Sequence, residues 1–133
     1  MNIPYTADTP TVLVVDDVAT ARIIVSSMLE DMGFTTILEA RDGTEALELL
    51  GRSEVALVIS DYNMSPASGL DLLRGLRERG VLHTTPFIMV SAVDDEAVVR
   101  AATALGASGY LTKPLRFDRL RSGVMQALRP KMS

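Results

Sequence analysis

No cysteine occurs among the 133 residues of this chain, which excludes a disulfide framework and any thiolate metal site. A single histidine, His83, excludes clusters of paired histidines. No apolar stretch approaches the roughly 20 residues of a membrane span, and the leader Met1 to Pro10 lacks the charged and apolar regions of a signal peptide. The cytoplasm is therefore the expected compartment, with no membrane partner. Basic residues are outnumbered, 13 against 17 acids, for a net charge of −4 and a pI near 4.9, so no nucleic-acid partner is expected. Lysine is scarcer still: only Lys113 and Lys131 are present, and the other basic residues are arginine. Internal repeats, low-complexity tracts and interdomain linkers are missing too. The length suits one domain, which buries roughly two thirds of its unfolded surface.

What is present is an alternation of short β-rich runs with helical periodicity. Ala21, Ile24, Val25, Met28, Leu29 and Met32 fall at i, i+3, i+4, i+7, i+8 and i+11, one face of a helix that Gly33 stops. Around it the pattern predicts strands at Val12–Val15, Thr35–Ala40, Val55–Ser60, Phe87–Val90 and Tyr110–Thr112. Further helices are predicted at Gly43–Leu50, Leu70–Arg79 and Asp94–Leu105, and a fifth is marked by Phe117, Leu120, Val124 and Leu128 before Pro130. Runs such as Val-Leu-Val-Val and Phe-Ile-Met-Val are continuously apolar, as in parallel strands covered on both faces. The expected fold class is α/β, a doubly wound five-stranded parallel sheet in a three-layer sandwich. The expected division is a flexible leader over 1–10, one domain over 11–129 and a short tail over 130–133. The opening methionine and short tail suggest a complete protein with no output domain after the fifth helix.

Four of the apolar runs stop at polar groups: Asp16 and Asp17, Asp61, Ser91 and Lys113. Parallel strands put their carboxyl ends along one sheet edge, where open α/β folds form their ligand crevice. Two carboxylates about 4 Å apart repel by about 4 kcal/mol at an effective dielectric of about 20, or roughly three pKa units. Such a cluster either holds a proton or binds a cation, and oxygen ligands suit Mg²⁺. The plainer reading makes Asp16 and Asp17 helix caps and Asp61 a turn acid before Asn63. Asp61 at the end of the central strand is also placed to act as a carboxylate nucleophile. A lysine at residue 113, in an arginine-rich chain, points to a need for a compact point charge on a flexible stem. Ser91 is suited to donate a hydrogen bond to a phosphoryl oxygen, or simply begins a loop.

Val14-Val15-Asp16-Asp17, Ile59-Ser60-Asp61-Tyr62-Asn63-Met64, Val90-Ser91-Ala92 and Ala107-Ser108-Gly109-Tyr110-Leu111-Thr112-Lys113-Pro114 resemble the four signature segments of two-component receiver domains. The resemblance runs from about Thr11 to Leu128 and is greatest to the single-domain chemotaxis type, notably at Ile59 to Met64 and Ala107 to Tyr110. It implies the (βα)5 flavodoxin-like strand order 2-1-3-4-5. It further implies that Asp61 accepts a phosphoryl group from the phosphohistidine of a sensor histidine kinase or histidine phosphotransfer protein. Asp17, Asp61 and the backbone carbonyl of Asn63 would ligate Mg²⁺ directly, with Asp16 acting through water. Lys113 would pair with the phosphate, Ser91 would bond it, and Tyr110 would turn inward behind Ser91. The Lys113–Pro114 bond would be cis.

Such a protein is a phosphoacceptor switch, self-catalysing phosphoryl transfer and dephosphorylation, rather than an enzyme. The face of the fourth helix, fifth strand and fifth helix would signal to a separate effector. Asp94, Asp95 and Glu96 stand at one end of that face and Arg116, Arg119 and Arg121 near the other. A monomer or a weak phosphorylation-dependent dimer is expected, and an intermediate carrier in a phosphorelay is the nearest alternative role. Two features depart from the family pattern. Ser65 intervenes between Met64 and Pro66, which leaves the path of that loop open, and the acidic start of the fourth helix differs from the basic one of flagellar chemotaxis members. Rival readings fit less well. A haloacid-dehalogenase-like phosphatase wants Asp-X-Asp after the first strand and a cap domain, a flavin carrier wants a phosphate-cradling loop where Asp16 and Asp17 repel phosphate, and a contact-only pseudo-receiver has no need of the acid set.

Overall fold

A computed structural model describes residues 10–81, 84–92 and 95–132, with side chains through Arg129. Most of the predicted leader, with Asp94, His83 and Ser133, lies outside the described residues. The elements alternate in chain order: β1 (Val12–Val15), α1 (Ala19–Asp31), β2 (Ile37–Ala40), α2 (Gly43–Arg52), β3 (Leu57–Asp61), α3 (Gly69–Glu78), β4 (Phe87–Ser91), α4 (Glu96–Leu105), β5 (Gly109–Thr112) and α5 (Phe117–Met132). All pairings are parallel, in the order β2-β1-β3-β4-β5. This is the doubly wound α/β sandwich and strand order expected.

Two cores lie on the two sheet faces, which explains the unbroken apolar strands. Val12 and Val14 of β1, Leu57 and Ile59 of β3, and Ile88 and Val90 of β4 pack with Val25 and Leu29 of α1 and with Leu120, Val124 and Leu128 of α5. The alternate residues Leu13, Val15, Val58, Phe87 and Met89 pack with Ala46 of α2, Leu72, Leu73 and Leu76 of α3, and Ala102 of α4. Each fully buried side chain of this size contributes about 1.5–3 kcal/mol of transfer free energy.

Helix ends are set by local chemistry. Asp42 caps α2 by accepting from the Glu45 amide at 2.8 Å, and Asp95 caps α4 through the Ala97 amide at 2.8 Å. Ser68 and Asp71 form a reciprocal capping box on α3. Gly106 ends α4 at φ 107°, a left-handed conformation open to glycine at little cost.

Several sequence expectations shift by a turn or less. α1 begins at Ala19 and α4 at Glu96, with Asp95 outside it as the cap. β2 begins at Ile37 rather than Thr35, β3 runs Leu57–Asp61 and β4 reaches Ser91. α5 continues to Met132, past the stop expected at Pro130, because a proline in the last turn removes only one amide bond from a helix already anchored by Leu120, Val124 and Leu128. Ile24 is a correction: it was expected on the buried face of α1 but is 53% exposed. The apolar stripe is wider than the contact: Val25, Leu29 and Met32 are buried in the core, Met28 packs partly against it, and Ile24 is left outside.

Candidate functional site

Strand parity determines which side chains meet at the carboxyl edge. Val14 and Ile59 face α1 and α5. Two residues further along each strand, Asp16 and Asp61 emerge on that face. Val15 lies opposite Ser60 in the β1–β3 register, so Asp16 and Asp61 are the next neighbours. Lys113 follows Leu111, which packs against the same core. The polar groups thus converge because their apolar predecessors do.

Lys113 Nζ stands 3.0 Å from Asp61 Oδ1 and 3.7 Å from Asp16 Oδ2, with the two aspartate side chains only 7% and 6% exposed. Asp17 is exposed, yet one carboxylate oxygen from each of Asp16, Asp17 and Asp61 lies within 4.8 Å of the others. Burial raises the Asp61 carboxyl above its ordinary range; the Lys113 hydrogen bond works against this, and the charge of Asp16 adds to it. Burial also opposes the charge on Lys113, but its bonds to Asp61 and Asp16 and their charges outweigh that, and its ammonium is held above its usual value. Three carboxylates therefore face one ammonium, an excess of hard oxygen ligands that fits a divalent cation such as Mg²⁺.

The loops hold this set in place. Asp16 Oδ1 accepts from the Val18 amide at 2.9 Å, and the Asp16 amide donates to the Ala40 carbonyl at 3.1 Å. The Lys113 amide donates to the Ser91 carbonyl at 2.8 Å, and the Lys113–Pro114 bond is cis, as is Ser65–Pro66. After Asp61 the Tyr62 carbonyl accepts from the amides of both Met64 (3.2 Å) and Gly69 (2.8 Å), closing the loop over buried Met64. The Ser65–Pro66 departure is thereby confined between two fixed points, with both residues exposed. Asn63, two residues after Asp61, is exposed.

Ser91 is fully buried at the end of β4, and Tyr110 is half-buried on β5 against the core under α3 and α4. By parity these two share the sheet face opposite Asp61 and Lys113. Asp95, Glu96, Arg116 and Arg119 are exposed and Arg121 is half-buried; Glu96 pairs with Arg100 at 3.5 Å.

Sequence reasoning passed over three features. Arg22, Glu39 and Ser26 form a linked polar group behind Asp16. Gly69 packs directly on the Asp61 backbone, where a Cβ would overlap the Asp61 carbonyl oxygen and come within 2.7 Å of Met89 Sδ. An apolar groove of about 290 Å³, lined by Ala21, Ile24, Val25, Pro114 and Leu115, opens beside Asp61 and Lys113. The exposure of Ile24 that marks the groove is seen only in the structure. A broader depression of about 910 Å³ lies at the opposite sheet edge among Thr11, Thr36, Glu54 and Thr85, remote from the carboxylates.

Known proteins share this fold. The model of the response regulator receiver domain family matches residues 12–125. The chain is 36% identical over 113 residues to the chemotaxis protein CheY of Pseudomonas aeruginosa, covering 85% of this chain and 91% of that one. It is 39% identical over 111 residues to chemotaxis protein CheY-3 of Vibrio cholerae, covering 83% and 85%. Among solved structures, the chemotaxis response regulator CheY4 of Vibrio cholerae superposes with a TM-score of 0.83 at 30% identity, over 91% of this chain and 100% of that one. The signal receiver domain of an HD domain-containing protein from Pseudomonas fluorescens superposes with a TM-score of 0.84 at 29% identity, over 93% and 98%. Built on that sheet and carrying that cluster at its carboxyl edge, the chain belongs to the response regulator receiver domain family.

Proposed function

We propose that the chain is a phosphorylation-dependent switch in which Asp61 accepts a phosphoryl group from the phosphohistidine of a sensor histidine kinase or histidine phosphotransfer protein. The observation that carries this reading is the Lys113 ammonium 3.0 Å from Asp61 Oδ1, inside a cluster of three carboxylates. In the transfer a carboxylate oxygen of Asp61 forms the new P–O bond as the donor's N–P bond breaks, and the bonding pair leaves with the histidine nitrogen. Little else is asked of the protein than placement and charge neutralisation.

Asp17 and Asp61, with the Asn63 carbonyl, would hold Mg²⁺, and Asp16 would act on it through water. When bound, the ion supplies positive charge to the phosphoryl oxygens. Lys113 pairs with the phosphoryl group on Asp61, the Ser91 hydroxyl donates to it, and Tyr110 turns inward behind Ser91. That movement alters the α4-β5-α5 face, which a separate protein reads. The chain then works as a phosphoacceptor that loses its own phosphoryl group, and not on a separate substrate. A role in chemotaxis is supported by the names of its relatives.

The test is mass spectrometry after incubation with phosphoramidate and Mg²⁺. One phosphoryl group is expected on the parent and none on Asp61→Asn; an Asp61→Asn protein that gained it equally would remove Asp61 from this role.

A further inference from the structure

The Asp16–Asp17 peptide carries two of the three carboxylates, and the second of them is exposed and has no hydrogen bond or ion pair from its side chain among the described residues. What fixes Asp17 is therefore its backbone. Asp16 is tethered on three sides: its amide to Ala40, its carboxylate to the Val18 amide, and its carbonyl to a guanidinium. That carbonyl belongs to the peptide plane leading into Asp17, and its donor is Arg22 Nη1, one turn into α1. Arg22 is itself held, with Nε 3.1 Å from Glu39 Oε1 on β2, while the second oxygen of Glu39 accepts from Ser26 Oγ at 3.3 Å. The Arg22 side chain is 18% exposed, unlike the surface-paired arginines at 41, 74, 100 and 116, which are 52% or more exposed.

We infer that Arg22, oriented by Glu39, is a positioning residue for the metal site: it pins the Asp16–Asp17 peptide so that the Asp17 carboxylate is presented toward Asp61 before any ion arrives. The inference rests on the Mg²⁺ reading of the acid cluster. Only a fork suffices here, because one nitrogen must reach the Asp16 carbonyl while another faces Glu39, and a lysine has a single nitrogen.

Electrostatics and positioning predict opposite signs, which makes the idea decidable. As a mere nearby cation, Arg22 repels Mg²⁺, and removing it tightens binding. As a positioning residue it preorganises a ligand, and its loss weakens binding; removal of partners behind a metal ligand typically costs about 10- to 100-fold in affinity.

The experiment is calorimetric titration of MgCl₂ into the full chain, its Arg22→Met, Arg22→Lys and Glu39→Gln variants, and Asp17→Ala, all well below their melting temperatures. A Kd raised about tenfold or more in Arg22→Met, with Arg22→Lys failing to restore it and Glu39→Gln intermediate, is the expected result. An unchanged or lower Kd in folded Arg22→Met overturns the inference, and a fall in melting temperature alone would leave Arg22 a structural tie only. Parent protein that takes up no Mg²⁺ overturns the metal reading itself, and the inference with it. If Arg22→Met does not fold, Glu39→Gln decides: its affinity must fall while its melting temperature stays near that of the parent.

Discussion

Lys113 Nζ lies nearer to Asp61 Oδ1 (3.0 Å) than to Asp16 Oδ2 (3.7 Å), so the lysine occupies with its own charge part of the space that a metal ion would neutralise. Cation and ammonium therefore compete for the same carboxylates. Lys113→Met is expected to bind Mg²⁺ more tightly, by roughly tenfold once the partial solvent screening of the lysine is allowed for, while its phosphorylation by phosphoramidate slows. Titration calorimetry and a phosphorylation time course check the two halves; weaker Mg²⁺ binding in this variant contradicts the competition.

The raised carboxyl of Asp61 sets a direction for stability against pH. A group whose folded pKa exceeds its unfolded one contributes stability that is complete below the unfolded pKa and is lost as pH rises through the folded pKa. In metal-free protein at neutral pH, Asp61 therefore opposes folding, and Asp61→Asn is expected to melt higher. Each 1 kcal/mol corresponds to about 3–5 °C for a domain of this size. The gain should shrink as pH falls through the acid range. Scanning calorimetry in EDTA from neutral to acid pH tests it, and a lower melting temperature for Asp61→Asn at neutral pH counts against it.

Magnesium should reverse that order. A ligand held only by the folded state adds about 1.4 kcal/mol when its free concentration is about ten times Kd. The parent should then gain melting temperature with added MgCl₂ while Asp61→Asn gains little. Protons compete for the same carboxylate, so the Mg²⁺ affinity of the parent should decline on acidification from a pH above the ordinary carboxylate range. A parent melting temperature indifferent to MgCl₂ well above the measured Kd contradicts the site.

Gly69→Ala should be among the most damaging single-methyl changes in the chain. Its Cβ would overlap the carbonyl oxygen of Asp61, which is backbone and has nowhere to yield, and would crowd Met89 as well. A cost of about 1–3 kcal/mol is expected, seen in urea denaturation, together with slower phosphorylation because relief of the overlap displaces Asp61. Gly51→Ala, where no atom lies within 4 Å of the added carbon, is the control. Equal stability in the two variants would argue against the close approach.

How far the site could be read from the sequence follows from what each part depends on. Asp16, Asp61 and Lys113 were visible because a parallel strand announces itself by an apolar run, and the residue that ends the run must lie at the sheet edge. Arg22 and Glu39 were not visible: they are 17 residues apart and meet only because β1 and β2 pair with Val15 opposite Ala40. Gly69 stands just before the predicted helix start at Leu70, and nothing local says that the Asp61 carbonyl lies against it. The spacing of Ile24 correctly placed it on the apolar stripe of α1, but a stripe does not reveal which of its edges the neighbouring elements leave uncovered.

The parity that sends Asp61 and Lys113 to one side of the sheet and Ser91 and Tyr110 to the other has a thermodynamic corollary. In the proposed reading the charging protein approaches the carboxyl edge at Asp61, while the face that is read spans both sides of the sheet, with α4 on the Tyr110 side and α5 on the Asp61 side. Coupling through a shared middle is reciprocal. A reader that prefers the charged form must, by the same factor, shift the charging equilibrium toward that form, so the abundance of the downstream protein enters the equilibrium response of the circuit upstream of it.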